Sequence, residues 1–190
     1  MIVKKLVLGE LKTNCYFIIN EKTSNAIIID AGAEYETIKS YITTENLKVC
    51  AVLLTHGHFD HIGACAKLQK DGIKIVIHSL DADKCKDNSL NLSNAFGEDI
   101  VETFNADVLL DNKEGEYEIC DFKIKYIHTP GHSVGSCSFL IEDYLFSGDT
   151  IFDMGYGRTD FYDGSPFQLS KSIEKLMPYL RRGYKLLAGH

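Results

Sequence analysis

No run of about 18 apolar residues occurs in this 190-residue sequence, so no transmembrane helix is expected. The start, Met1-Ile2-Val3-Lys4-Lys5-Leu6-Val7-Leu8-Gly9, has too short an apolar run for a signal peptide and reads as a first strand. No CxxC pair occurs: the six cysteines (Cys15, Cys50, Cys65, Cys85, Cys120 and Cys137) are scattered, several within apolar runs. Free cysteine there behaves as a small buried hydrophobe. A disulfide framework is therefore not expected, and a reducing, cytoplasmic compartment is. Basic charge is in deficit, with 20 Lys+Arg against 27 Asp+Glu and a net charge of −7. That balance argues against a nucleic-acid backbone or an anionic membrane as partner. No GxSxG motif, internal repeat or low-complexity linker is visible. Length and an apolar content of 45% fit one globular domain spanning 1–190. Nothing in the sequence assigns an oligomeric state.

What is present is histidine, concentrated in Thr55-His56-Gly57-His58-Phe59-Asp60-His61. The apolar run Val49 to Leu54 before it predicts a buried strand. Ile62, Cys65, Ala66 and Leu68 after it recur at helical spacing. The histidines thus fall on a strand-to-helix turn, where a rigid scaffold presents a loop. Imidazole and carboxylate together suit zinc, iron and similar ions. His56 and His58 are two apart, so extended backbone points both to one side. Asp60 and His61 fall where the helix begins and face elsewhere. Two adjacent metal positions fit that pattern better than one.

Around this turn the chain alternates. Strands are predicted at Ile2–Leu8, Cys15–Ile19, Ala26–Ile29 and Ile73–His78, and an amphipathic helix around Ile38, Tyr41 and Ile42. Asp30 ends the third strand either as a turn residue or as a group holding a histidine ligand. Leu80 to Lys86 suits a short helix, and Asn88 to Asp99 a polar surface loop bordering a pocket. Val108–Leu110, Glu116–Cys120 and Phe122–Ile127 are short strand candidates. Thr129-Pro130-Gly131-His132 makes a tight turn after a strand and delivers His132 as a ligand, whereas His78 and His128 read as structural. Leu145 to Asp149 repeats the device, and a carboxylate at Asp149 can bridge two metals. Arg158 either clamps a substrate carboxylate or pairs with a loop acid; we favour the acid. A helix starts after Ser165-Pro166, and Tyr184–Leu187 is a last strand. This order predicts a layered α/β protein with helices outside two sheets.

His56-Gly57-His58-Phe59-Asp60-His61, then His132, Asp149 and His190, resemble the metallo-β-lactamase fold superfamily. Asn14-Cys15-Tyr16, Asp30-Ala31-Gly32, Thr129-Pro130-Gly131-His132 and Ser147-Gly148-Asp149-Thr150 are similar to its other landmarks. Gly157-Arg158-Thr159-Asp160-Phe161 resembles a segment of small glyoxalase II-like hydrolases and persulfide dioxygenases. The resemblance implies a four-layer αββα sandwich with a two-metal site at one edge. His56, His58 and His132 would hold one ion, and Asp60, His61 and His190 the other, with Asp149 between. Zinc is the first expectation for both ions, with iron or manganese as the other candidates. The implied function is hydrolysis of a small ester or thioester by a water deprotonated between the metals, with Asp60 and Asp149 as the catalytic carboxylates. A mononuclear iron persulfide dioxygenase using His56, His58, His132 and Asp149, a lactonase, and a metal-binding scaffold without turnover are the alternatives. The expected partner is a small-molecule substrate. Relatives carry Pro-Gly-His-Gly or similar at the last ligand and continue, whereas here Ala188-Gly189-His190 closes the sequence; a terminal ligand is expected to fray. Glyoxalase II enzymes also carry a helical domain for glutathione that this chain has no room for, so glutathione specificity does not follow.

Overall fold

Strand β2 (Thr13–Ile19) is buried along its whole length, and side-chain alternation explains why. Cys15, Phe17 and Ile19 pack with Ile38 and Leu68 on one face. Tyr16 and Ile18 pack with Phe139 and Phe146 on the other. A strand covered on both faces reads as a continuous apolar run. The structure, a computed structural model, describes residues 1–96, 101–111 and 113–190. The last part of the predicted loop at Asn88–Asp99 lies outside the described residues.

The first sheet has the order β1 (Ile2–Leu8), β2, β3 (Asn25–Ile29), β4 (Lys48–Leu53), β5 (Lys74–His78), β6 (Val108–Leu110). Its β3 to β6 run parallel. The second sheet pairs β11 (Lys185–Ala188), β10 (Tyr144–Gly148), β9 (Cys137–Ile141), β8 (Phe122–His128) and β7 (Glu114–Ile119). Helices α1 (Tyr35–Thr44), α2 (Phe59–Ile62) and α3 (Cys65–Lys70) contribute Ile38, Ile62 and Leu68 to the apolar layer outside the first sheet. Helix α4 (Pro166–Arg181) sets Leu176 against Ile127, Leu140 and Leu145 outside the second. A middle layer joins the sheets. The architecture is the expected αββα sandwich.

Ser165 caps α4 through its Oγ, which accepts from the Gln168 amide, with Pro166 in the first turn. The predicted helix after the histidine turn is broken into α2 and α3 at Gly63-Ala64. Strand β9 was not predicted; buried on every residue, it shows no alternation and follows directly on a turn.

One expectation is overturned. Cys50, near the start of β4, and Cys120, at the β7–β8 turn, form a disulfide across 70 residues of sequence, with Cα atoms 6.5 Å apart. Only the stacking of the two sheets brings them together, so no spacing rule announces the pair. The case for a reducing compartment rested on free cysteines and loses that footing. Cys15, Cys65, Cys85 and Cys137 are free and buried, as expected. Among the described residues no helix is long and apolar enough to cross a membrane.

Strand direction places the site. Strands β3 and β4 are parallel, so both finish at one edge. Strand β8 is antiparallel to β9, and β9 to β10, so β8 and β10 run the same way; β11 is parallel to β10. The chain leaving each of these five strands carries Asp30, the His56–His61 turn, His132, Asp149 and His190 in turn. Hydrogen bonds lock the two edges together: Cys137 N donates to Thr55 O, and Asn14 N to Gly189 O.

Candidate metal centre

All seven residues singled out in the sequence converge. Ligand atoms of His56, His58 and His132 lie within 4.8 Å of one another, as do those of His56, His61 and Asp149, and those of Asp60, His61 and His190. Asp149 stands between the groups: Oδ1 is 3.5 Å from His61 Nε2, and Oδ2 is 3.6 Å from His132 Nε2 and 3.7 Å from His190 Nε2.

Partners of the outer ring nitrogens decide which tautomer each histidine holds. The Thr55 hydroxyl donates to Asp30 Oδ2 (2.7 Å), so toward His56 Nδ1 (3.1 Å) it accepts. His61 Nδ1–H donates to the same Asp30 Oδ2 (2.9 Å). His132 Nδ1–H donates to Arg158 O (2.8 Å), and His190 Nδ1–H to Leu11 O (3.0 Å). Each turns its Nε2 inward. His58 presents Nδ1, 2.9 Å from His132 Nε2.

The consequence is a knot of buried polar atoms. His56 Nε2, His61 Nε2 and Asp149 Oδ1 are buried with no hydrogen-bond partner. Orphaned buried polar atoms are rare and costly, and a cation among them, once it displaces the His61 proton, satisfies all at once. The donor set, imidazole and carboxylate, is one that divalent zinc or iron takes. The residues present therefore fit a metal.

Electrostatics divides the site. Burial and the neighbouring His132 push His58 down to about 3, so it is neutral and free to bind a cation. Burial acts on His61 in the same sense, but the carboxylates of Asp60, Asp30 and Asp149 overcome it and raise the imidazole to about 10.

Asp30, left open by the sequence, holds ligands: it fixes His61 directly and His56 through Thr55, while Oδ1 accepts from the Thr55 amide. His190 does not fray. Besides its bond to Leu11, Gly189 N donates to Gly148 O, and a Cβ on Gly189 would meet Asp149 Oδ1 at 2.2 Å. Arg158 pairs bidentately with Asp160 and covers the Phe161 ring, as favoured. His78 and His128 stack on each other at 4.3 Å, away from the cluster. A cavity of about 380 Å³ opens on the site, walled by Leu11, Phe59, Leu92, Phe152 and Phe161. Among the described residues, no serine or cysteine lines it.

Sequence reading missed Asp81, Lys84 and Asp163, which support the ligand loops. Asp81 and Lys84 stand three apart on a 3-10 helix (Ser79–Cys85), a spacing indistinguishable in sequence from a surface ion pair.

The metallo-beta-lactamase superfamily model matches residues 8–190. The chain belongs to that superfamily. It is 35% identical to the probable metallo-hydrolase YqgX of Bacillus subtilis, covering 98% of this chain and 89% of that protein. With the hydroxyacylglutathione hydrolase GloC of Haemophilus influenzae it shares 36% identity over 93% of this chain and 84% of that protein. Among solved structures it is similar to the BLEG-1 B3 metallo-beta-lactamase (TM-score 0.94, 36% identity, 100% of this chain and 91% of that one). It is also similar to TTHA1623 in a di-iron-bound form (TM-score 0.81, 29% identity, 98% and 91%). Superfamily membership makes this a metallo-hydrolase-type chain whose His/Asp centre is of the kind that binds divalent metal ions.

Proposed function

We propose that the protein is a metal-dependent hydrolase of a small ester or thioester, acting in solution on a small molecule rather than on nucleic acid or membrane. The observation that carries the reading is the inward-facing, unpartnered set of His56, His61 and Asp149 atoms beside a cavity that, among the described residues, no serine or cysteine lines. His56, His58 and His132 would hold one divalent ion, and Asp60, His61 and His190 the other, with Asp149 shared. Zinc suits both positions. Divalent ions held by these residues would supply a water of lowered pKa and polarisation of a carbonyl oxygen.

This chain's residues supply the rest. Asp60 accepts from the Thr13 hydroxyl (3.2 Å) and lies 3.2 Å from His190 Nε2, which fixes one of its oxygens. It is positioned to orient the attacking water. Phe59, Phe152, Phe161 and Leu92 exclude solvent around the acyl group and strengthen the local electrostatics. The kinship with a hydroxyacylglutathione hydrolase supports the thioester form of the reading.

The test is to load the protein with zinc, assay a panel of thioesters, esters and lactones, and compare His58→Ala. Turnover by the parent that disappears with the metal in the variant supports the reading. Unchanged metal content and unchanged hydrolysis in the variant would falsify it. A second reading rests on the resemblance of Gly157-Arg158-Thr159-Asp160-Phe161 to a segment of persulfide dioxygenases, and the similar TTHA1623 holds iron, though two ions of it. A single iron held by His56, His58, His132 and Asp149 would suit persulfide oxidation. Oxygen uptake by the iron-loaded protein with glutathione persulfide would favour it over hydrolysis.

A further inference from the structure

We infer that Asp81, with Lys84 and Asp163, is a positioning device that sets the His56–His58 loop against the His132 loop, and so fixes the spacing of one metal position and not the other. The inference rests on the metal reading of the site and is independent of the substrate.

Asp81 is fully buried at the start of the 3-10 helix that follows β5. A carboxylate offers about four acceptor sites, and here all are taken. Oδ2 accepts from Gly57 N (2.9 Å) and Ser133 Oγ (2.7 Å). Oδ1 accepts from Gly135 N and Lys84 Nζ, at 2.7 and 2.8 Å. Gly57 separates His56 from His58, and Ser133 follows His132. One carboxylate therefore grips both loops beside three histidines without touching an imidazole.

Lys84 extends the grip. Its Nζ also donates to Asp163 Oδ2 (2.7 Å), and that oxygen accepts from Val134 N (3.0 Å). The circuit closes on the His132 loop from a second side. The approach is close: a Cβ on Gly57 would meet Lys84 Cβ at 2.6 Å. Buried charges so paired are costly to break, because each leaves its partner uncompensated.

The partners are selective. Gly57 and Ser133 are bonded directly to His56, His58 and His132, and Val134 and Gly135 follow in the same His132 loop, whereas none of the four is bonded to Asp60, His61 or His190. A general staple of the fold would loosen both metal positions alike. A positioning device loosens one.

The experiment measures zinc affinity by chelator competition in two backgrounds. His190→Ala keeps the His56/His58/His132 position whole, and His58→Ala keeps the Asp60/His61/His190 position whole. Adding Asp81→Asn is expected to weaken zinc about tenfold or more in the first background. In the second the change is expected to stay within about twofold. The visible spectrum of the cobalt-loaded protein shifts in the first background alone. Equal losses in both backgrounds, or no loss in the first, would overturn the inference. Should Asp81→Asn not fold, Lys84→Met and Asp163→Asn are read the same way, with the same selectivity required of them. Absence of zinc binding by the parent chain would overturn the metal reading beneath it, a result distinct from loss of selectivity.

Discussion

The two halves of the centre use the same side chain to opposite effect. His56, His58 and His132 sit together, almost wholly buried, with no carboxylate inside their trio. Burial and mutual repulsion keep His56 and His58 unprotonated. His61 is just as buried, but Asp30, Asp60 and Asp149 surround it and hold it protonated until about pH 10. His190, partly open to solvent, is held protonated to higher pH by Asp60 and Asp149, against its own burial. Imidazole charge is therefore set by neighbours and not by depth. In the first half, His56 and His58, already unprotonated, wait for a cation. The second must exchange protons for one.

The sharpest way to break this comparison is His58→Ala. It is expected to remove the metal of the buried half and lower hydrolysis by on the order of 10²–10³-fold, read by elemental analysis and steady-state kinetics. His190→Ala should cost less, since Asp60 and His61 remain.

At the far side of the molecule, Cys120→Ser removes the inter-sheet disulfide. Stability should fall by about 2–4 kcal/mol, measured by denaturant unfolding, with metal content unchanged. A loss of metal in that variant would mean that the halves depend on the whole sandwich and not on their loops.

Asp30→Asn sharpens the contrast from within. The amide keeps its shape but weakens the bond to His61 Nδ1, so metal affinity should drop by about 10–100-fold. Isothermal titration with zinc reads this directly, and the drop should be greater in the acidic half. A further effect is on pH. In chelator-treated protein, His61 is raised above an ordinary imidazole of about 6.5. Its contribution to stability is full below that pH and is lost as pH rises through about 10. Thermal melts across that range should show a decline that zinc abolishes.

Much of the site was legible because ligation demands particular residue types. Histidines two apart at the end of a buried strand, an acid after Gly148 and a histidine after Pro130-Gly131 each stand where a turn exposes them. Strands β1 to β6 could be read from apolar runs bounded by polar turns. Strand β9 could not, because Ser138 interrupts its short apolar run and it follows directly on a turn. Asp30 was half legible: its place after β3 suggested a turn, which its φ of 56° satisfies, and the same residue also clasps His61.

By itself the sequence determined the chemistry: seven metal-seeking side chains, their order, and the layered α/β scaffold that carries them. Those are properties of residue type and local period, which survive in a linear string. Only the tertiary structure decided the rest. Stacking two sheets closed Cys50 on Cys120. Folding the 3-10 helix beneath two loops turned Asp81 and Lys84 from an ordinary i, i+3 pair into a buried clamp. Bringing five strand ends to one edge surrounded His61 with acids and left His58 among bases. Charge state and support depend on distances between segments remote in sequence, and those distances exist only once the chain has packed.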